Sequence, residues 1–185
     1  MFQEALTQIV RKLEDAQKGG LLRGYGLIGG LALAAGGVMR ATEDIDFAVA
    51  VGAGAMPKLA SALGGQYRDR AGGEDDPLRG VINTVVAVGA KTIPVQLVLL
   101  PRRWNEVLLS QVSVIPVHGC SVPVVSWQAL VLLKLYAGGP QDLIDAQEVW
   151  AVRQPDAESV REVQSLADTL GLSGEFKVFT QRIDP

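Results

Sequence analysis

Two aspartates one residue apart, Asp44-Ile45-Asp46, carry the densest chemical information in this 185-residue chain. On a β-strand, residues i and i+2 project from one face, about 6–7 Å apart at ~3.3 Å per residue. Carboxylates that close repel and resist ionising together unless a cation sits between them. Mg²⁺ suits such a pair, because it accepts one or two carboxylates and leaves its other positions to water and substrate phosphates. A second ion ~3.5–4 Å away would complete a clamp on attacking and leaving oxygens. The alternative is a solvated strand face with accidental spacing. Upstream, Gly29-Gly30 precedes an apolar run. A Gly-Gly turn before a helix start offers unhindered backbone N–H groups to a triphosphate. Lys134 is the only charge in residues 126–137, so it either snorkels to solvent or aims at a site.

The same glycines admit another chemistry. Residues 24–29, Gly-Tyr-Gly-Leu-Ile-Gly, satisfy G-x-G-x-x-G, and Asp44 follows Gly24 by 20 residues. Those are the marks of a dinucleotide-binding oxidoreductase. That reading needs a core strand feeding the first glycine, and here a helix ended by Gly19-Gly20 leaves little room for one. The glycines straddle the expected strand itself. Tight NAD(P) binding alone would rescue an oxidoreductase.

Residues 2–18 place Phe2, Ala5, Leu6, Ile9, Val10, Leu13 and Ala16 at helical spacing. A short strand is expected at 25–28, a buried helix at 31–39, and a strand at 44–51 with Asp44 and Asp46 on one face. A helix near 55–63 precedes a polar loop at 64–80. Strands at 81–88 and 92–100 form a hairpin through Gly89-Ala90-Lys91. A helix at 102–111 and two short strands within 112–125 follow. Helical periodicity then runs through 126–137, 141–153, 156–170 and 174–181. The layout predicts an α/β (α+β) fold: a mixed-sheet domain over 1–125, flanked by helices, with a C-terminal helical subdomain over 126–185.

Composition narrows the classes. At 48% hydrophobic and 20% charged, the chain reads as a soluble globular protein. A net charge of −3 gives no broad footprint for nucleic acid. The uncharged run 24–39 has 16 residues and six glycines. It falls short of the ~20 apolar residues of a membrane span. Glu4, Glu14 and Asp15 before it do not suit a signal peptide. A single histidine, His118, and a single cysteine, Cys120, build neither a zinc cluster nor an internal disulfide. His118 is expected at the surface or a strand edge, Cys120 as a small buried hydrophobe in a reducing cytoplasm.

Gly29-Gly30-Leu31-Ala32-Leu33, followed by Arg40-x-Thr42-x-Asp44-Ile45-Asp46-Phe47, resembles the signature of the DNA polymerase β-like nucleotidyltransferase superfamily. Within it the sequence is most similar to the minimal and abortive-infection-type (toxin-like) group. Lys134-Leu135-Tyr136-Ala137, then Gln141-Asp142-Leu143-Ile144-Asp145, resembles that group's helical motif. The resemblance covers roughly residues 20–150.

The resemblance implies a Mg²⁺- or Mn²⁺-dependent transferase moving a nucleoside monophosphate from an NTP to an acceptor hydroxyl. The acceptor would be an RNA end, a protein or a small molecule. A cognate antitoxin is an implied partner, a membrane is not, and the location would be cytoplasmic. Gly29 and Gly30 would hold phosphates, and Asp44 and Asp46 the metal. Arg40 and Thr42 would flank the triphosphate or brace the loop, and Lys134 would contact phosphate. Asp142 and Asp145, three residues apart, would orient Lys134 or cap their helix. One departure stands out. The superfamily's third carboxylate, on a later apolar strand, is replaced by Gln96. Glutamine forms hydrogen bonds but is neither a base nor an anionic ligand. The third acid then comes from elsewhere, the acceptor is activated otherwise, or the chain is a weakened, non-enzymatic nucleotide- or partner-binding module. Glu74-Asp75-Asp76 is either that source or a solvated loop.

Overall fold

The amphipathic N-terminal segment forms α1 (Phe2–Lys18), with Ala5, Leu6, Ile9, Val10, Leu13 and Ala16 on its buried face. The structure is a computed structural model and describes residues 1–69 and 79–183. The acidic stretch Glu74-Asp75-Asp76 lies outside the described residues. β1 (Leu22–Ile28) runs directly into α2 (Gly29–Ala35), and β2 (Ile45–Val51) and α3 (Met56–Leu63) follow. β3 (Gln66–Arg68), β4 (Gly80–Val88), β5 (Lys91–Leu99), α4 (Arg103–Ser110), β6 (Val112–Val117) and β7 (Cys120–Val125) complete the first two thirds.

The strands make one mixed sheet in the order β3-β4-β5-β2-β1-β7-β6. β2 lies between β1, antiparallel to it, and β5, parallel to it. Ile45, Phe47, Ala48, Val49 and Ala50 are all fully buried. Helices must therefore cover both faces of this central strand. α1 packs on β1, β4 and β7 and touches α3, while α4 packs on β1 and β2. The edges are blunt: β3 is three residues long, and β6 carries Pro116.

Several boundaries differ from expectation, each for a local reason. β1 begins at Leu22, so three residues after Gly19 suffice to start a strand that contains both Gly24 and Gly26. Exclusion of the dinucleotide fold rests instead on β1 and β2 being antiparallel, which a βαβ unit forbids. α2 starts at Gly29 and stops at Gly36, because Gly37 adopts φ +94. β3 forms inside the expected loop; three residues show no periodicity to read. The β4–β5 hairpin has a two-residue turn, Gly89-Ala90, with Lys91 already paired to Val88. His118 and Gly119 form the matching turn between β6 and β7, both at positive φ, as tight hairpins require. The His118 ring stacks on Phe2 at 5.6 Å. Cys120 is half-buried.

The last third is helical: α5 (Trp127–Ala137), α6 (Pro140–Arg153), α7 (Ala157–Leu170) and α8 (Ser173–Ile183). α5 is capped by Ser126, whose Oγ accepts from Ala129 N at 3.2 Å. Its apolar surface is buried against α6, α7 and α8. Trp150 joins Trp127, Phe176 and Phe179 in an aromatic cluster between them. Gly138-Gly139 reverses the chain and Pro140 opens α6. In such a hairpin, residues equidistant from the turn face one another. Lys134 and Asp142 are each four residues from Gly138. No helix among the described residues is long and apolar enough to cross a membrane.

Candidate active site

Three segments converge where β1 passes into α2. Gly29 takes φ +66, and any Cβ there would collide with the Asp46 carboxylate. A Cβ on Gly30 would lie 2.6 Å from Thr42 Cβ. The two glycines thus let the backbone press against the acidic strand and its preceding loop at distances no side chain permits. Ile28, the α2 N-cap, offers no side-chain hydrogen bond to the first turn.

Asp46 is the second residue of β2, while Asp44 lies just before the strand rather than on it. Asp44 is held by its neighbour instead: Thr42 Oγ1 donates to its Oδ1 at 2.6 Å. Burial pushes the Asp46 carboxyl up to about 6, Asp44 adds to the shift, and Lys134 partly opposes it. The pair is therefore an acidic site short of positive charge.

Positive charge stands across the depression. Lys134 Nζ donates to Asp142 Oδ1 at 2.9 Å and lies 2.7 Å from Asp145 Oδ2. Arg40 Nε lies 3.7 Å from Asp145 Oδ1, which also accepts from Gln141 Nε2 at 2.9 Å. Burial alone would lower the Lys134 pKa, but Asp145 and Asp142 hold it above its ordinary value. Burial likewise pushes Asp145 up, and Lys134, Gln141 and Arg40 outweigh that and leave it low. Asp142 and Asp145 therefore face Lys134, and no side chain caps α6.

Gly29, Gly30, Arg40, Thr42, Asp44, Asp46, Lys134 and Asp145 line one open depression of about 610 Å³. Asp142 and Gln96 are not in its lining. Gln96 is the β5 residue in register with Asp46, and its Nε2 donates to Asn83 Oδ1 on β4 at 3.2 Å. An amide pair thus occupies the flank of the acid site where a third carboxylate was expected. Among the described residues, no group of three His, Cys, Asp or Glu side chains could hold a metal ion. The donors that do converge, Asp44 and Asp46, suit one hard cation completed by substrate oxygens.

No family model and no curated protein matches the sequence. Solved structures do. The antibiotic-resistance factor ANT(2'')-Ia superposes with a TM-score of 0.53 at 17% identity, over 94% of this chain and 96% of that one. An antigenic nucleotidyltransferase-like protein from Paracoccidioides brasiliensis gives 0.54 at 15% identity, over 94% and 93%. The fold is nucleotidyltransferase-like. At such identities the likeness speaks for the nucleotidyltransferase-like fold and leaves each residue to its own geometry.

Two participants had no role assigned from the sequence. Gln141 is bonded to Asp145, and its signal was the i, i+4 spacing on one helix. Asn83 is bonded to Gln96. Its signal was a polar residue interrupting the apolar run of β4, but pairing it required the hairpin register.

Proposed function

We propose that this chain is a metal-dependent nucleotidyltransferase, moving a nucleoside monophosphate from an NTP to an acceptor hydroxyl with release of pyrophosphate. The observation that carries it is the meeting, in one depression on a nucleotidyltransferase-like fold, of paired carboxylates, a glycine turn and two cations. Asp44 and Asp46 would hold Mg²⁺ or Mn²⁺, which when bound neutralises charge on the reacting phosphates. Thr42 keeps the Asp44 carboxylate aimed. The Gly29-Gly30 backbone admits phosphate oxygens close to the acids, and Lys134 and Arg40 would take the negative charge on the far side. The acceptor oxygen attacks the α-phosphorus, the bond to the β-phosphate oxygen breaks, and the hydroxyl proton passes to solvent. Catalysis is then mainly positioning.

A small-molecule acceptor is the first to test, since one fold neighbour is named as an antibiotic-resistance factor. RNA ends and protein side chains come next. The two motifs also support the abortive-infection-type group, with a cognate antitoxin and a cytoplasmic location. Gln96 beside Asp46 favours a second reading, a nucleotide-binding module that transfers nothing.

Calorimetric titration of each NTP with and without Mg²⁺, followed by labelled-NTP transfer to each acceptor class, separates the two. Transfer by the native chain supports the enzyme, and metal-dependent binding without transfer supports the module. Asp44→Asn with Asp46→Asn should cut metal-dependent binding and transfer roughly a thousandfold or more. Unchanged Mg-NTP affinity in that double variant would remove both readings.

A further inference from the structure

We infer that Asp145 is the positioning residue for the cationic half of this site: one buried carboxylate sets where both Arg40 and Lys134 stand. The inference rests on the nucleotidyltransferase reading above and assigns Asp145 no contact with substrate.

Asp145 is 1% exposed, and two cations and one amide donor from two distant stretches of chain surround it. Lys134 reaches Oδ2 from α5, Gln141 reaches Oδ1 from within α6, and Arg40 reaches Oδ1 from the loop between α2 and β2. A buried carboxylate is tolerated only when cations and hydrogen bonds surround it. Placing Asp145 there therefore obliges both cations to turn toward one point. Asp142 does not duplicate this: it is 29% exposed and contacts Lys134 but not Arg40.

The two contacts are unequal, and the inequality gives them different duties. Lys134 is 16% exposed and held by two carboxylates, so it is a fixed charge. Arg40 is 38% exposed and stands 3.7 Å from Asp145, at the outer limit of an ion pair. An incoming polyphosphate can draw the guanidinium from Asp145 at little cost. Removing the carboxylate would release Arg40 into solvent and leave Lys134 to Asp142 alone. The loop that carries Thr42 and Asp44 would lose its only ion pair to the helical part among the described residues.

The test is a double-mutant cycle on Mg-NTP affinity and on KM and kcat, using Asp145→Asn, Arg40→Ala and the combination. Asp145→Asn should weaken NTP binding roughly ten- to hundredfold, about the worth of one hydrogen bond to a charged group. The change should fall on KM more than on kcat. In the Arg40→Ala background the same substitution should cost clearly less, because one of the two groups it positions is already gone. Full additivity, or native NTP affinity in folded Asp145→Asn protein with only a lowered Tm, would make Asp145 a purely structural ion and overturn the inference. Should that variant not fold, Asp145→Glu keeps the charge but displaces both cations, and retention of native KM by it overturns the inference equally. A native chain that binds no Mg-NTP would instead sink the underlying functional reading, a separate outcome visible before any variant is made.

Discussion

The two halves of the depression carry opposite electrostatic accounts. On the helical side, Lys134, Asp142, Asp145 and Arg40 neutralise one another within the folded chain. On the strand side, Asp44 accepts from the Thr42 hydroxyl, and neither Asp44 nor Asp46 has a cation in ion-pair contact among the described residues. The helical cluster is thus neutralised by folding, whereas the strand pair is left acidic, as the proposed metal site requires. A structural ion network and the proposed ligand site differ in this respect although they face each other across one cleft. The difference predicts that equivalent charge removals have opposite effects on stability.

The largest effect should come from breaking the neutralised half. Lys134→Met leaves Asp145 buried with Arg40 at 3.7 Å as its remaining cation. Losing one partner of a buried pair costs about 3–5 kcal/mol. For a chain of this size that lowers Tm by roughly 6–20 °C, measurable by thermal melting. Asp44→Asn keeps an acceptor for Thr42 and should stay within about 1 kcal/mol of the native chain. Equal losses at both positions would erase the distinction between the halves.

The acidic half should show itself through pH. The folded Asp46 carboxyl is raised from 3.8 to about 6. Between those values the folded chain holds a proton that the unfolded chain has released, so stability falls as pH rises through the window. Above pH 6 the penalty is complete, on the order of 2–3 kcal/mol. Asp46→Asn removes it. Melting curves in EDTA should therefore show the variant gaining on the native protein between pH 4 and 6, then holding a constant lead. Added Mg²⁺ should narrow that lead above pH 6 by stabilising only the native site. A gap that is flat with pH would mean that Asp46 is not held in a cation-starved site.

What could be read from sequence follows the same division between local and distant contacts. Period-3.6 and period-2 patterns located α1, β2, both strands of the β4–β5 hairpin and all four C-terminal helices, because each buries a continuous face. The pairing of Asp44 with Asp46 and the solitary charge of Lys134 were visible too, although Asp44 stands just before β2 and is held by Thr42 rather than by the strand. The Arg40–Asp145 contact was not. It joins residues 105 apart, and only the packing of the helical part against the α2–β2 loop creates it. The neighbour of Gln96 was missed by one residue. A three-residue turn through Lys91 would set Asn83 opposite Leu97, whereas the actual two-residue turn sets it opposite Gln96. A one-residue slip moves a side chain to the other face.

That register makes Gln96 the place where the contrast can be sharpened with the smallest perturbation. Gln96 neighbours Asp46 across β2 and β5, and adjacent strands lie about 4.7–4.9 Å apart. Gln96→Asp would put a third carboxylate beside a pair already short of positive charge. In EDTA, the partly screened repulsion at that range costs about 1–2 kcal/mol, a Tm fall of roughly 2–8 °C. Mg²⁺ should reverse the fall and leave the variant binding metal more tightly than the native chain, because three carboxylates outbid two. Labelled-NTP transfer should rise with it if the amide at this position is what limits the reaction. A variant that melts like the native protein in both EDTA and Mg²⁺ would show that residue 96 does not share the field of the acid pair. The missing carboxylate would then have to be sought on another segment.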